Sequence, residues 1–366
     1  MDLATAADKF LAWAASFGAY NPDLGMPIPV VSDYSDFAAI SEAGKTLLKT
    51  KLITSVAKNE SSKELIVFTR RVAPSTKKDL AKLPSRLDDV GIIYRQGSIV
   101  PIDSSPTQPT NAATYQVRSI QARERYCCGS SVSVGNNREA GTFGALVRDA
   151  AGQFFGLSNN HVTGGCSHAG VGLPILAPGI IDIIPGCLTP FTVGFHERSL
   201  PFFSGTPDNI NSAANCDAAL FKIADPDAVS SFQGIMHDTP STAQALVAGM
   251  RVEKVGRTTG HTVGTVLGEL HGPLAISYQA NIYGFSGKVY FQPLFVINGI
   301  GALFSDSGDS GSLITALNAA NERVGVGLVV GKMVDGTAVG GFSSLVLPIE
   351  RILNELQVTL VSGHNI

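Results

Sequence analysis

From about residue 126 onward, short apolar runs of strand type recur roughly every ten residues, with turn residues between them. Examples in chain order are SSVSVG, TFGALVRD, AALFKIA, HTVGTVLGEL and RVGVGLVVGKMV. Strands at this spacing are typical of an all-β sandwich or a pair of barrels. The 39 glycines and 19 prolines favour the same class, because such residues divide a chain into short strands rather than long helices. This part of the chain is therefore predicted to be mainly β.

The part of the chain before residue 103 mixes two kinds of pattern. The patterns are, in order, helical over 2–16 and 36–57, strand-like over 64–72, helical over 77–84 and strand-like over 90–97. A strand, a helix and a second strand in this order suggest a small α/β domain, with the earlier helices packed on it. We find no catalytic constellation in this N-terminal domain.

A polar segment separates the part with mixed helix and strand patterns from the strand-rich part. Residues 103–114 are mostly polar, contain two prolines and lack periodicity, which is typical of a linker. The sequence therefore predicts an α/β domain over 1–102, a linker over 103–125 and a β-rich domain over 126–366. Within the β-rich domain, the strand runs fall into two groups, at about 126–235 and 245–357.

Composition and charge exclude several classes of partner. A hydrophobic content of 44% with 16% charged residues predicts a chain that folds, and a net charge of −3 gives no reason to expect nucleic acid or an anionic membrane as a partner. The N-terminal apolar residues are interrupted by Asp8 and Lys9, unlike a signal peptide, and no apolar run approaches the roughly 20 residues that span a bilayer. Five cysteines, two of them adjacent, fit a reducing compartment, so we expect a cytoplasmic protein.

Three segments of the β-rich part carry residues suited to nucleophilic catalysis. FFGLSNNHV delivers His161 after a strand, NCDAALFKI places Asp217 before a strand, and SDSGDSGSLI holds Ser310 between glycines. Taken singly, each has an ordinary structural explanation: a core histidine, a turn aspartate or a glycine-rich loop without chemistry. All three alternatives stay open at the level of single segments.

The third segment is the most informative. Acyl transfer by serine needs a tight turn that exposes the hydroxyl and aims backbone N–H groups at the developing oxyanion. Gly308 permits such a turn, and the turn Gly308, Asp309 and Ser310 is the predicted oxyanion hole, with the amides of Gly308 and Ser310 as its donor pair. In comparable sites each donor lowers the barrier by roughly 3 kcal/mol.

Histidine, aspartate and serine follow one another in the chain order of chymotrypsin, which differs from that of subtilisins and α/β-hydrolases. SNNHV, NCDAALFKI and GDSGS resemble the three catalytic segments of trypsin- and chymotrypsin-like serine proteases, and KVGRTTGHTVGTV is similar to the segment that opens the second barrel in bacterial members. More narrowly, SNNHV, LPILAPGIID and GRTTGHTVG resemble an intracellular trypsin-like group that includes the plant NARROW LEAF 1 protease and bacterial relatives. The resemblance covers about 126–357.

The resemblance implies two antiparallel six-stranded β-barrels with a catalytic triad of His161, Asp217 and Ser310 in the cleft between them. His161 takes the proton of Ser310 during attack on a peptide carbonyl, and Asp217 holds the imidazole. An acyl-enzyme forms and water hydrolyses it. The implied activity is that of a serine endopeptidase.

The resemblance also implies substrate-binding residues. The base of the specificity pocket lies six residues before the nucleophile, at Phe304, with Ser305 and Asp306 beside it. A phenylalanine there suggests small or apolar substrate side chains, and a charge from Asp306 in a loop of different shape is the alternative. The strand edge expected to pair with an extended substrate carries Val329, Val330 and Gly331.

A supporting role is expected for Arg257. In bacterial relatives an internal arginine near the Thr-Thr-Gly segment pairs with the aspartate before the nucleophile, and this implies a pair between Arg257 and Asp309.

Two other site types are less well supported by the residues. Cys166, His168 and Cys187 could be metal ligands, but they lack the paired spacing of structural zinc sites, so we expect no metal, and a disulfide between Cys166 and Cys187 stays open. The glycines at 325, 327 and 331 do not have the spacing of a dinucleotide site, and GRTTG has no lysine for a phosphate loop. We therefore expect no cofactor.

The competing functional hypotheses are a silent protease-fold scaffold or binding protein, and a protease held inactive by its N-terminal domain until a partner or signal releases it. The expected partners are a protein or peptide substrate and, through the N-terminal domain, a regulatory protein.

Overall fold

The computed structural model of the chain describes residues 1–20, 28–31, 33–103, 115–186, 188–206 and 208–366. This described part contains 26 strands and five α-helices, so the predicted mainly β class is confirmed. No helix within it is long and apolar enough to cross a bilayer. Residues 104–114, most of the segment on which the predicted linker rests, lie outside the described residues.

The described residues before 104, called the N-terminal domain after the predicted division, contain three helices and six strands. They are α1 (Leu3–Ser16), α2 (Glu42–Lys51), β1 (Ile53–Asn59), β2 (Glu64–Thr69), α3 (Lys77–Leu80), β3 (Arg86–Leu87), β4 (Val90–Gln96), β5 (Ser98–Ile99) and β6 (Ile102–Asp103). The Asp2 side chain caps α1 by accepting a hydrogen bond from the Thr5 amide. The buried face of α1 packs on β1 and β2, and Trp13 stacks on Phe37 with ring centroids 4.4 Å apart. These contacts give the N-terminal domain a core of its own.

The next region folds around a curled half-barrel. Its elements are β7 (Val117–Ile120), β8 (Arg123–Cys128), β9 (Ser131–Val134), β10 (Gly141–Thr142), β11 (Ala145–Asp149), β12 (Phe154–Ser158), α4 (Asn160–Thr163), β13 (Pro174–Ala177), β14 (Phe191–Ser199), β15 (Ala219–Ile223), β16 (Val229–Gln233) and β17 (His237–Asp238). Seven of these strands form one sheet in the order β10-β9-β13-β14-β15-β12-β11, and the C-terminal strand β26 (Val358–Leu360) extends it. We call this sheet the half-barrel.

The last region contains a closed barrel. Its elements are β18 (Arg251–Gly256), β19 (Gly260–Leu270), β20 (Leu274–Ala280), β21 (Phe285–Phe291), β22 (Phe295–Gly299), β23 (Leu313–Leu317), β24 (Arg323–Val334), β25 (Phe342–Pro348) and α5 (Ile349–Leu356). Six strands close in the order β18-β23-β24-β25-β22-β19, because β19 also pairs with β18. Strands β20 and β21 form a separate sheet with β6.

The N-terminal strands continue the sheet of the closed barrel. Strand β1 pairs antiparallel with β19, with Ala57 opposite Leu270, and β2, β4 and β3 follow in the same sheet. Ala57, Ile66 and Phe68 are buried in the same hydrophobic cluster as Leu270. Two cores therefore meet at this sheet, and the domain bounds given above stay predictions.

The shared cluster predicts that the N-terminal strands and the barrels unfold together. Phe68→Ala should lower the free energy of unfolding by about 3–5 kcal/mol, because Phe68 is fully buried. Trp13 is the chain's only tryptophan, so its fluorescence reports the N-terminal domain while circular dichroism reports the β structure. The urea transitions followed by fluorescence and by circular dichroism should coincide, and in Phe68→Ala both should move to lower urea concentration by the same amount. Phe203→Ala, at a ring that is 56% exposed, is the control; separate transitions would contradict shared unfolding.

Candidate active site

His161 lies on a single helical turn directly after β12. Strand β12 ends at Ser158, and α4 begins at Asn160, so the imidazole leaves the end of a buried strand of the half-barrel. The Asn159 side chain donates to the Asp217 carbonyl over 2.6 Å, which ties this turn to the residues that precede β15. The predicted histidine and aspartate segments are thus neighbours in space.

Asp217 holds His161 through two hydrogen bonds. The His161 ring Nδ1 lies 2.5 Å from Asp217 Oδ2, and the His161 amide donates to Oδ1 over 3.0 Å. The carboxylate is fully buried and the His161 side chain is 10% exposed. A buried carboxylate at Nδ1 favours the tautomer with the proton on Nδ1, which leaves Nε2 as the ring nitrogen able to accept a proton.

Tyr278 is a site residue that the sequence analysis missed. Its hydroxyl donates to Asp217 Oδ2 over 3.0 Å, and its ring packs edge-on against Phe202 with centroids 4.8 Å apart. Burial and then the neighbouring Asp217 charge raise the pKa of Tyr278 well above its ordinary value, so the hydroxyl stays protonated and remains a donor. The alternation in LAISYQA indicates a buried position for Tyr278, but no sequence signal connects it with Asp217.

Ser310 lies on the loop between β22 and β23 and lines one cavity with His161 and Tyr278, of about 120 Å³. The Thr142 amide donates to the Ser310 carbonyl over 2.8 Å, which fixes the loop against the half-barrel. Ser310 Oγ is 3.5 Å from the Val330 carbonyl, and within the described residues it makes no hydrogen bond to His161. The predicted triad residues therefore share one cavity, with the serine hydroxyl turned toward β24.

The turn before Ser310 depends on a glycine and has two backbone amides without an acceptor in the described part of the chain. Gly308 has φ +98°, and a Cβ there would lie 2.4 Å from Thr258 Oγ1. The Asp309 amide is used inside the turn, where it donates to the Asp306 carbonyl over 2.9 Å. The amides of Gly308 and Ser310 donate to no acceptor among the described residues. Of the three predicted oxyanion-hole residues, these two are left as donors.

Asp309 has a different cation from the predicted one. Lys254 Nζ lies 3.3 Å from Asp309 Oδ2, both side chains are fully buried, and Thr258 N and Thr259 Oγ1 donate to the same carboxylate over 2.8 and 2.7 Å. Burial lowers the pKa of Lys254, and the Asp309 charge opposes that shift. The expected pair between Arg257 and Asp309 is therefore wrong.

Arg257 instead crosses from the closed barrel to the half-barrel. Its guanidinium binds both carboxylate oxygens of Asp182, with Nε donating to Oδ2 over 2.8 Å, and neither side chain is appreciably exposed. The Arg257 side chain also lies against the turn that holds Ser310, since a Cβ on Gly308 would be 2.7 Å from Nη1. The prediction failed because nothing local distinguishes Asp182 from Asp309 as a partner.

The predicted specificity residues separate in the structure. Phe304 is fully buried in the core of the closed barrel and is not among the residues that line the cavity, so its expected place at the pocket base is wrong. The next residue, Ser305, does line the cavity. Its hydroxyl lies 2.5 Å from the Ser344 hydroxyl. Asp306 also lines the cavity and is bound by Lys332.

The predicted substrate strand lies beside the nucleophile. Val329 and Gly331 line the cavity, and the Val330 carbonyl accepts from Ser310 Oγ. The amide of Gly311 donates to the Val329 carbonyl over 2.9 Å, which fixes this stretch of β24 to the loop that carries Ser310.

The cysteine and histidine cluster has no ligand-like geometry in the part of the chain that is described. Cys166 is a buried free thiol, His168 Nδ1 lies 2.8 Å from the Cys166 carbonyl, and the His168 ring stacks near Tyr283. Cys187 lies outside the described residues, so the possible disulfide stays open.

Comparison with known proteins gives one curated relative and several structures. A scan against models of protein families matches none of them. The chain is 27% identical over 218 residues to Protein NARROW LEAF 1 of Oryza sativa subsp. japonica, a match that covers 54% of this chain and 34% of that protein. The chain thus spans about a third of the length of this curated relative.

Solved structures of similar fold include Nocardiopsis protease and Thermobifida fusca protease A, each 18% identical with a TM-score of 0.40. They cover 63% and 65% of this chain, and the matches cover 96% and 98% of those proteins. The chain resembles chymotrypsin-like serine proteases in fold. A glutamic acid-specific serine protease is also similar, at 20% identity and a TM-score of 0.40, over 64% of this chain and all of that one. The candidate residues lie where the half-barrel meets the closed barrel.

The buried pair between Arg257 and Asp182 predicts a large stability effect. Asp182→Asn keeps the shape of the side chain but leaves the Arg257 charge buried without a counter-ion, so the free energy of unfolding should fall by about 3–5 kcal/mol. Urea denaturation measures the effect. Asp227→Asn is the matched control, because Asp227 and Arg123 are both about two-thirds exposed and 3.9 Å apart, where a pair contributes at most about 1 kcal/mol. Equal effects of the two substitutions would contradict the assignment.

Proposed function

We propose that the protein is a serine endopeptidase that hydrolyses peptide bonds through Ser310, His161 and Asp217. The observation that carries the proposal is the buried Asp217 carboxylate, which holds the His161 ring in the same cavity as a serine in a Gly-Asp-Ser-Gly turn. A buried carboxylate, an oriented imidazole and a serine beside free backbone amides form the set of groups needed for acyl transfer.

In the proposed mechanism His161 is the general base. Asp217 accepts the Nδ1 hydrogen bond, so Nε2 takes the proton from Ser310 as the serine oxygen attacks the carbonyl carbon. The buried carboxylate then stabilises the imidazolium, which gives the proton to the leaving amine. Water deacylates the enzyme by the same route in reverse. In the structure, Ser310 Oγ faces the Val330 carbonyl, so attack requires rotation of the serine side chain toward the imidazole.

The tetrahedral oxyanion would be bound by the amides of Gly308 and Ser310. Their direction depends on the left-handed conformation of Gly308, and removal of one such donor costs about 3 kcal/mol of transition-state stabilisation in comparable enzymes. The charge of Asp309 is held away from this site by Lys254, Thr258 and Thr259, so it does not oppose the oxyanion.

The proposed substrate is an extended polypeptide that pairs with β24 beside Ser310. A regulatory partner that binds through the N-terminal domain remains part of the proposal, as does a cytoplasmic location. The free thiols of Cys127, Cys128, Cys166 and Cys216 agree with a reducing compartment.

Labelling with a fluorophosphonate tests the proposal. The wild-type protein should be labelled at Ser310, located by mass spectrometry of the labelled peptide, and Ser310→Ala should not be labelled. His161→Ala should slow labelling by at least about a thousandfold, because the nucleophile loses its base.

His261→Ala is the matched control, since His261 also pairs with a carboxylate, that of Glu253, but lies away from the cavity. Its labelling rate should stay within twofold of the wild type. Absence of labelling in a folded wild-type protein would contradict the endopeptidase function and favour a catalytically silent scaffold.

Tyr278 is predicted to act on the reaction through Asp217. Tyr278→Phe keeps the buried ring but removes the hydrogen bond to Oδ2, a bond to a charged acceptor worth about 1.5–3 kcal/mol. We expect kcat to fall by about tenfold or more with KM within twofold, because the hydroxyl orients the base and does not bind the substrate. Tyr94→Phe, which removes a hydrogen bond to the Pro84 carbonyl in the N-terminal domain, is the control. Equal changes of kcat in both variants would show a general structural effect.

A further inference from the structure

A segment of the N-terminal domain lies along the proposed substrate edge. Strand β5 pairs antiparallel with the end of β24, with Ser98 opposite Val334 and Ile99 opposite Met333. The pairing continues by one further bond, since the Val100 amide donates to the Lys332 carbonyl over 3.1 Å. The stretch of residues 100–102 lines the same cavity as His161 and Ser310.

The Val100 bond uses an acceptor that a peptide would need. The carbonyls of Val330 and Lys332 both face this edge, the first toward Ser310 and the second toward Val100. In an antiparallel pairing, hydrogen-bonded residues alternate along the strand. A peptide whose attacked residue donates its amide to the Val330 carbonyl would therefore use the amide of the residue two positions earlier to donate to the Lys332 carbonyl. The Val100 amide already occupies that acceptor.

Ile102 adds a steric limit at the same place. Its Cδ1 lies 3.4 Å from the position of a Cβ on Gly331, so the Ile102 side chain covers the cavity face of that glycine. The backbone of Ile102 leaves β24 and pairs in parallel with Tyr278 on β20. The segment thus bridges two strands that both contribute to the cavity.

The segment is anchored on both sides of the cavity. Before it, the Gly97 amide donates to the Thr69 carbonyl over 2.9 Å, and the buried Thr54 hydroxyl donates to the Gly97 carbonyl over 2.7 Å. After it, β6 is part of the sheet with β20 and β21. These bonds fix both ends of residues 98–102 to neighbouring strands, unlike a flap that lies on the surface.

We propose that residues 98–102 are a fixed wall of the peptide-binding site, which ends the substrate edge of β24 after Gly331. The inference rests on the proposed function and specifies its substrate range. The enzyme binds the attacked residue and the residue before it. Residues further toward the substrate's N-terminus form no backbone hydrogen bonds with β24. On an open edge, the extra hydrogen bonds at the third residue would raise kcat/KM by about three- to tenfold.

A length series of substrates tests this wall. Peptidyl coumarin amides with one, two, three and four residues share the same final residue, chosen as the best cleaved from a fixed panel. For the wild type, kcat/KM should rise from one to two residues and change by less than threefold from two to four. A rise of threefold or more at the third residue would overturn the inference.

Substitutions that loosen residues 98–102 should allow a third substrate residue to raise kcat/KM. In the double variant Val100→Gly with Ile102→Gly, the ratio of kcat/KM for the three-residue substrate to kcat/KM for the two-residue substrate should be at least threefold higher than in the wild type. The matched control is Val247→Gly with Ile235→Gly, at side chains that are 49% and 70% exposed. No gain in the loosened variant, with its fluorophosphonate labelling intact, would contradict the wall. A tenfold rise for every substrate length would show an inhibitor of the whole cleft instead and would also contradict it.

Binding separates this inference from the proposed function. Fluorescence anisotropy with Ser310→Ala and dye-labelled peptides of the same lengths measures the affinity of the substrate edge for each peptide in the absence of cleavage. Affinity that stops rising after the second residue supports the wall, even if the wild type neither cleaves nor reacts with the fluorophosphonate, in which case the peptidase function alone fails. Affinity that rises threefold or more at the third residue counts against the wall, and no binding at any length removes both proposals.

Discussion

The candidate site depends on the contact between Thr142 and the turn that holds Ser310. The Thr142 amide donates to the Ser310 carbonyl, its hydroxyl donates to the Gly308 carbonyl over 2.9 Å, and the same hydroxyl accepts from the Arg257 amide. Thr142 is fully buried and belongs to the half-barrel, whereas the residues that it binds belong to the closed barrel. One short strand therefore fixes the position of Ser310 relative to His161, because three directional bonds leave the turn little freedom.

Two buried ion pairs stabilise the same junction. Arg257 with Asp182 crosses from the closed barrel to the half-barrel, and Lys254 with Asp309 holds the Ser310 turn inside the closed barrel. A buried charge is tolerated only when it is paired and hydrogen-bonded, and here each carboxylate has further donors, such as the Ser131 hydroxyl at Asp182. The cations thus support the geometry of the turn, while Asp217, bound by His161 and Tyr278, fixes the orientation of the imidazole.

The N-terminal domain contributes to the cavity as well as to stability. Its strands extend the sheet of the closed barrel, and its last strands pass along β24 and β20 at the cavity. The same backbone pairing that joins the domain to the barrel uses an acceptor on the proposed substrate edge. If residues 98–102 limit the substrate as proposed, attachment of the domain and that limit are consequences of one set of hydrogen bonds.

The sequence alone determined the mainly β class, the N-terminal mixture of helices and strands, and the segments that carry His161, Asp217 and Ser310. These features are local: strand alternation, turn residues and the Gly-Asp-Ser-Gly turn are written in neighbouring residues. Tertiary structure decided which partners meet. Arg257 pairs with Asp182 and not Asp309, Phe304 points into the barrel core, and Tyr278 reaches Asp217, because such contacts depend on sheet closure between residues far apart in the chain.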